Sequence, residues 1–550
     1  MDAAALCGQG SPGIAHMWHM PGHPYSSLHR YADGAWQQEA SARVDHAYMI
    51  RNRVLPDQIH NFAHNNEWLV NNLNYVGRVH DALDLAKNMV ELPRHPKYNN
   101  IAKDSGTNGN IALADTSSSA NKNRHNSAVF GRTRLLETLV RWELWDELLT
   151  LGNSMYLDPT DLPEEQAKRL RALTLAHFSK GDTNAGSLKI TELDTVLKAQ
   201  RELRHTEEDE AEAKAREAKQ SDEQVAKAMT EAMGKHAERI KTTEASLTEL
   251  RFLALLAKGT LDEARLQTNE IKDFPKDRLS RIWLQLGDND KAVTLAREFL
   301  DGATNQVLAL ANYTDILERT GKHDDAVKAF EQLRSISAQA DLDTPVMQRL
   351  KPLAAQLKLP DDWRPAFKPS TDVGQRPPLD SLGPFRWHPS PALDWKLPDE
   401  NGNAISLTNY HGRPVLVVFY LGYRCKHCLE QLNAFAPMTK RFQDAGISIV
   451  AISTDSVAGL KKTFSQGKDS GGFPFPVVSD ESMETFKKYR SFDDFENSPL
   501  HGTFLVDAEG LVRWQDIGYD PFLKLDFLLA ESQRLLKLPT KPILVGSTNK

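Results

Sequence analysis

Residues Pro414 to Tyr420, Pro-Val-Leu-Val-Val-Phe-Tyr, are apolar, β-branched and aromatic without a break and too short for a helix. They read as a buried strand. A few residues later come Cys425-Lys426-His427-Cys428, and then Leu429, Leu432, Phe435, Met438 and Phe442 repeat at helical spacing. The two cysteines therefore fall in the first turn of a helix that follows a central strand. There, unpaired backbone N–H groups and the helix dipole favour a thiolate over a thiol. Lys426 and His427 add positive character beside the sulfurs. This is the chemistry of a redox dithiol. The chain has only three cysteines, so a framework of structural disulfides is excluded. The third, Cys7, is isolated near the N-terminus and reads as an inert thiol.

A length of 550 residues corresponds to three or four domains, or to a repeat array plus one domain. A net charge of -7 gives no reason to expect a nucleic-acid partner. No apolar run approaches the roughly 20 residues of a membrane-spanning helix. Met1 to Cys7 lacks the basic flank and apolar core of a secretory signal, so the chain as written reads as cytoplasmic. A helical pattern nevertheless starts almost at once without a capping unit; an export signal lost from upstream would make the protein periplasmic.

The first two thirds read as all-helical, with a recurring motif in which a turn glycine is followed five residues later by alanine. Examples are Gly77 and Ala82, Gly259 and Ala264, Gly287 and Ala292, and Gly321 and Ala326. Glycine permits the tight inter-helix turn and alanine lets two helices approach closely. Gly287 to Gly321 spans 34 positions, the period of tetratricopeptide repeats. The expected organisation is tetratricopeptide-like helices over 13–97, a disordered polar insert over 98–132 and further helical repeats over 133–350. Within the last, the Glu-, Lys- and Ala-rich stretch 188–250 favours one or two long solvated helices, such as an antiparallel, coiled-coil-like hairpin. Six prolines between Pro352 and Pro378 mark 351–383 as a linker without regular helix.

Beyond the linker, over 384–540, strands and helices alternate. Leu393–Leu397 and Ile405–Leu407 read as a hairpin with a glycine turn. The Val415–Tyr420 strand and the cysteine helix follow, then strand Ile447–Ser453 and helix Val457–Phe464. A short strand at Pro474–Val478, a short helix at Met483–Tyr489, a hairpin from Thr503 to Trp514 and helix Pro521–Leu536 complete the pattern. The implied fold is a three-layer α/β sandwich with a mixed sheet.

This segment resembles a thioredoxin-fold redoxin, and most closely the alkyl hydroperoxide reductase/thiol-specific antioxidant (peroxiredoxin-like) family. The resemblance rests on Phe419-Tyr420 ahead of the cysteine helix, Val450-Ala451-Ile452-Ser453-Thr454-Asp455, Phe475-Pro476-Val477-Val478-Ser479-Asp480, and Thr503-Phe504-Leu505-Val506-Asp507-Ala508-Glu509-Gly510. It implies an antioxidant oxidoreductase in which Cys428 stands where the family keeps its peroxide-attacking cysteine. The family's proline, threonine and arginine around that cysteine correspond here to Leu421, Cys425 and His501. A thioredoxin-like register is the other possibility. Cys425 would then attack a disulfide, Cys428 would resolve the mixed disulfide, and His501, at the place of the thioredoxin cis-proline, would exchange protons with them.

Half of a zinc site is a weaker reading of the pair, because His411, His427 and His501 come with no second Cys-X-X-Cys. His16, His19 and His23 stand at near-helical spacing interrupted by Pro21-Gly22, and His60 and His64 form an i, i+4 pair. A pair of that spacing can chelate a metal from one helix face. The simpler reading is polar residues of the array's inner face, with Asn65, Asn66 and Trp68 beside them, and no metal or other cofactor is expected. The combined expectation is a thiol-disulfide oxidoreductase with Cys425, Cys428 and His501 as its catalytic residues. It would work with a thiol reductant or disulfide oxidant, tethered to repeats that hold a protein or peptide. A peroxidase acting through Cys428 and a non-catalytic scaffold are the alternatives.

Overall fold

The computed structural model describes residues 2–59, 61–97, 127–160, 163–465 and 472–538. Most of the expected polar insert, and His60, lie outside the described residues. The insert's last residues are helical, belonging to Ser127–Arg141.

The N-terminal two thirds are helices packed in succession. Gly77, Gly259, Gly287 and Gly321 all take positive φ, between 76° and 84°, where a side chain would be strained. The alanines five residues beyond each, Ala82, Ala264, Ala292 and Ala326, are completely buried. A helix at Asp2–Gly10 precedes the expected start of the array at Gly13. Ala15–Ser27 is one uninterrupted helix through Pro21 and Pro24, contrary to the break expected at Pro21-Gly22. Tertiary packing overrides the local signal: Pro21, Gly22 and Tyr25 are buried, and a Cβ on Gly22 would lie 2.2 Å from the Gln38 amide. The charged stretch forms two long helices, Thr183–Glu217 and Asp222–Ala257. Ion pairs Asp194–Arg251 and Arg201–Glu244, with Glu207 against His236 further out, step along them in antiparallel register. Among the described residues no helix is long and apolar enough to cross a membrane.

The proline-rich stretch is not a free tether. Its first turn is a helix, Lys351–Gln356, because Pro352 occupies an opening position where its missing N–H costs nothing. Trp363 is buried against Phe330, with ring centroids 4.9 Å apart. Further on, Arg376 donates to Asp33, and Arg43 donates to Asp380 and to the Gly383 carbonyl.

Among the described residues the C-terminal domain has ten strands: β1 Ser390–Pro391, β2 Lys396–Pro398, β3 Ala404–Ser406, β4 Val415–Tyr420, β5 Ser448–Ser453, β6 Val477–Ser479, β7 Phe492–Asp493, β8 Ser498–Pro499, β9 His501–Val506 and β10 Leu511–Gly518. Six form one mixed sheet in the order β1-β10-β9-β4-β5-β6, parallel from β4 to β6 and antiparallel elsewhere. Leu416, Val418 and Tyr420 face helices Lys426–Asp444 and Leu525–Leu536. Val415, Val417 and Phe419 face Trp395, Phe486 and Tyr489 on the other side. Burial on both faces is why β4 carries no polar alternation. This is the expected thioredoxin-fold sandwich. Several edges differ: β6 starts at Val477 rather than Pro474, and the last helix starts at Leu525 rather than Pro521.

The domain is docked on the helical region. Trp514 Nε1 donates to the Arg94 carbonyl at 2.7 Å, and the Arg94 N–H donates to Glu531 at 2.8 Å. Arg534 donates to the carbonyls of Val90 and Leu92, and Arg386 pairs with Asp84 and Glu91. Leu55 joins the domain's own apolar core. Burial alone would raise the Glu531 carboxyl, but Arg534 and Arg94 hold it below the usual carboxylate range. These partly buried polar contacts fix the domain against the helical region.

Candidate functional site

The site is assembled where β4 ends. Leu421 to Arg424 lead from the strand to the helix, and Gly422 turns the chain at φ 97°. Any Cβ there would meet the Asp455 carboxylate at 2.5 Å. Asp455 accepts the Tyr423 N–H at 2.9 Å and the Thr463 hydroxyl at 3.1 Å, and the Thr454 hydroxyl donates to the Leu421 carbonyl. The loop that presents the cysteines is thus held from the end of β5.

Cys425 is the N-cap of helix Lys426–Asp444, and its sulfur accepts the Cys428 N–H at 3.3 Å. That is where a helix best tolerates negative charge. Cys425 is partly exposed, whereas Cys428 is fully buried, with the Leu421 N–H 3.2 Å from its sulfur. The two are joined by a disulfide. Lys426 and His427 are exposed, and His427 faces Glu430 rather than the sulfurs.

His501 opens β9, beside β4 in the sheet, and is buried. Its Nε2 lies 3.2 Å from Cys428 Sγ and 3.9 Å from Cys425 Sγ. Its Nδ1 lies 2.7 Å from the Tyr519 carbonyl. A carbonyl can only accept, so the proton resides on Nδ1 and the Nε2 lone pair faces the sulfurs. Burial lowers the His501 pKa, with His427 acting in the same direction and the Tyr519 carbonyl and Asp520 opposing. At neutral pH the ring is an uncharged base. The structure therefore brings Cys425, Cys428 and His501 together. His411, by contrast, is exposed and outside the cluster.

Two contributors went unrecognised in the sequence. Asp455 belongs to a motif that pointed to the fold, yet its work is to hold the cysteine loop. Tyr519 acts through its backbone carbonyl, which has no sequence signature. Its side chain is 68% exposed and its hydroxyl bonds Asp493, which also accepts the N–H of the 93% exposed Phe495.

Residues 389–515 match the family described as "AhpC/TSA family". A peroxiredoxin-named protein of Mycobacterium tuberculosis is 32% identical over 122 residues, 21% of this chain and 75% of that one. The chain belongs to the AhpC/TSA family. Peroxiredoxin Q, chloroplastic, of Oryza sativa subsp. japonica is 32% identical over 126 residues, 23% of this chain and 56% of its own. The chain thus spans little more than half the length of the rice relative. Among solved structures, peroxidoxin BcpB from Mycobacterium tuberculosis is 21% identical, covering 28% of this chain and 98% of its own, with a TM-score of 0.25. The residues that match the AhpC/TSA family are under a third of the chain.

Proposed function

We propose that the AhpC/TSA domain carries out thiol–disulfide exchange through Cys425 and Cys428, on a protein or peptide held by the helical region. One observation carries this reading: the partly exposed sulfur caps a helix, and the buried sulfur faces the unprotonated nitrogen of His501. Starting from the reduced dithiol, the Cys425 thiolate attacks a substrate disulfide and one substrate sulfur leaves as thiolate. His501 Nε2 takes the Cys428 proton, and the resulting thiolate attacks the Cys425 sulfur of the mixed disulfide. The second substrate sulfur is released, the Cys425–Cys428 disulfide forms, and two electrons have passed to the substrate. A thiol reductant restores the dithiol. Net oxidation of a substrate dithiol is the same sequence reversed. The exposed Tyr519 and Phe495, tied together through Asp493, offer apolar contacts for a polypeptide beside His501.

Family membership favours a second reading, a thiol-dependent peroxidase in which Cys428 attacks peroxide and Cys425 resolves the sulfenic acid. Burial of Cys428 and replacement of the family's arginine by His501 weigh against it. Single Cys→Ser substitutions separate the two. Exchange is supported if Cys428→Ser traps mixed disulfides through Cys425 and the parent protein reduces insulin. It fails if peroxide is consumed, a sulfenic acid forms on Cys428 in Cys425→Ser, and insulin is untouched. Absence of both activities leaves a binding scaffold.

A further inference from the structure

We propose that His19, His23 and His64 form a binding site for a divalent transition-metal ion of the zinc–copper kind, between helices Ala15–Ser27 and Phe62–Val76. Because the first helix runs through its prolines, His19 and His23 sit at i and i+4 on one face. His64 comes from a helix some forty residues further on, and one ring nitrogen from each of the three lies within 4.8 Å of the others. His19 Nε2 and His23 Nε2 are 2.8 Å apart. Two nitrogens bound to one tetrahedral ion at about 2.0–2.1 Å lie about 3.3–3.4 Å apart, so the two rings need to open by only about half an ångström to take it.

The surrounding hydrogen bonds prepare this geometry. The Gln38 amide nitrogen donates to the His19 carbonyl, so its oxygen accepts the His19 Nδ1 proton at 2.6 Å. His19 Nε2 is left bare and faces His23. Such a bond from the outer nitrogen is how metal-binding imidazoles are oriented. His64 Nδ1 lies 3.4 Å from Glu67, itself paired with Arg134. Without an ion, the short contact between the two nitrogens requires the His23 Nε2 proton to sit between them. When an ion binds there, that proton moves to His23 Nδ1 and the ring stays neutral. Burial, with the neighbouring rings adding to it, depresses His19 to about 3 and His23 below the ordinary range, so both are neutral at physiological pH.

The donors select the ion. Three imidazoles without thiolate suit zinc, copper or nickel and do not suit calcium or magnesium. His23 and His64 are only half-buried, which leaves an approach from solvent and a fourth position for water. His16, exposed and stacked on His19 with ring centroids 5.8 Å apart, lies close by.

The test is calorimetric titration of the chelator-stripped full chain with Zn(II) at neutral pH, in a Cys425→Ser/Cys428→Ser background that removes the thiol cluster. One saturable equivalent is expected, with affinity falling as pH drops and Tm rising as zinc is added. His23→Ala and His64→Ala should each weaken binding at least tenfold and remove the Tm rise, with unchanged far-UV circular dichroism. His23→Gln, which keeps a hydrogen-bond partner for His19, decides the matter should an alanine variant misfold. The proposal is overturned if the parent shows no saturable equivalent, or if the variants bind zinc as the parent does. Either outcome leaves the dithiol chemistry untouched.

Discussion

The helical region and the AhpC/TSA domain each bury a histidine by the same device. In both, Nδ1 is tied to a carbonyl-type oxygen, the Gln38 side chain for His19 and the Tyr519 backbone for His501, leaving Nε2 as a bare lone pair. What stands opposite differs. His19 faces other imidazoles, whereas His501 faces two sulfurs. Imidazoles can share only a proton or a cation, while sulfurs can also give up electrons and bond to each other. An identical orienting bond thus supports a cation site in one region and electron transfer in the other, and the opposing side chains decide which.

The largest expected effect separates the two regions outright. Cys425→Ser should lower insulin reduction at least about 1000-fold, because no other described thiol is placed to attack. The triple His19, His23, His64→Ala variant should leave the rate of a small disulfide within about twofold. A shared loss in both variants, with the fold intact, would sink the separation.

The seam between the regions comes next. Glu531→Gln leaves the half-buried Arg94 and Arg534 with weakened partners, and should cost about 1.5–3 kcal/mol in urea unfolding. A loss under 1 kcal/mol would show that the domains do not depend on this contact.

His501→Phe should slow release of the mixed disulfide about 10- to 100-fold without slowing its formation. The parent's resolution rate should be flat above neutral pH, since His501 is already an uncharged base there. The variant's rate should keep rising toward the ordinary thiol range near pH 8.5. Equal pH profiles would remove His501 from proton transfer.

A smaller effect concerns His19 as a titrating group in the metal-free protein. Its folded pKa of about 3 lies below the unfolded value of 6.5, so between these pH values the unfolded chain binds the extra proton. Stability therefore falls as pH drops below 6.5, by about 2 kcal/mol at pH 5 from this group. Comparing unfolding of the parent and His19→Gln at pH 7 and pH 5 measures it; parallel pH dependences would contradict the assignment.

Much of the site was legible because its grammar is local. An unbroken apolar strand, two cysteines and a helical repeat of apolar residues placed Cys425 at a helix start. The substituted family position drew attention to His501. The Asp455 brace and the Tyr519 carbonyl were not legible, since one is a common loop residue and the other a backbone group any residue supplies. The histidine cluster was half legible: the sequence held His16, His19, His23 and His64, but Pro21-Gly22 argued for a break between His19 and His23.

By itself, then, the sequence determined the helical and α/β segments, the glycine turns and the cysteine pair, because short-range hydrogen bonding and apolar periodicity encode these. The docking of the last domain through Arg94, Glu531 and Arg534, the passage of a helix through two prolines, and the meetings of His501 with Cys428 and of His64 with His19 were decided only by tertiary structure. Each depends on burial and partners distant in the chain, and no local pattern of residues carries that information.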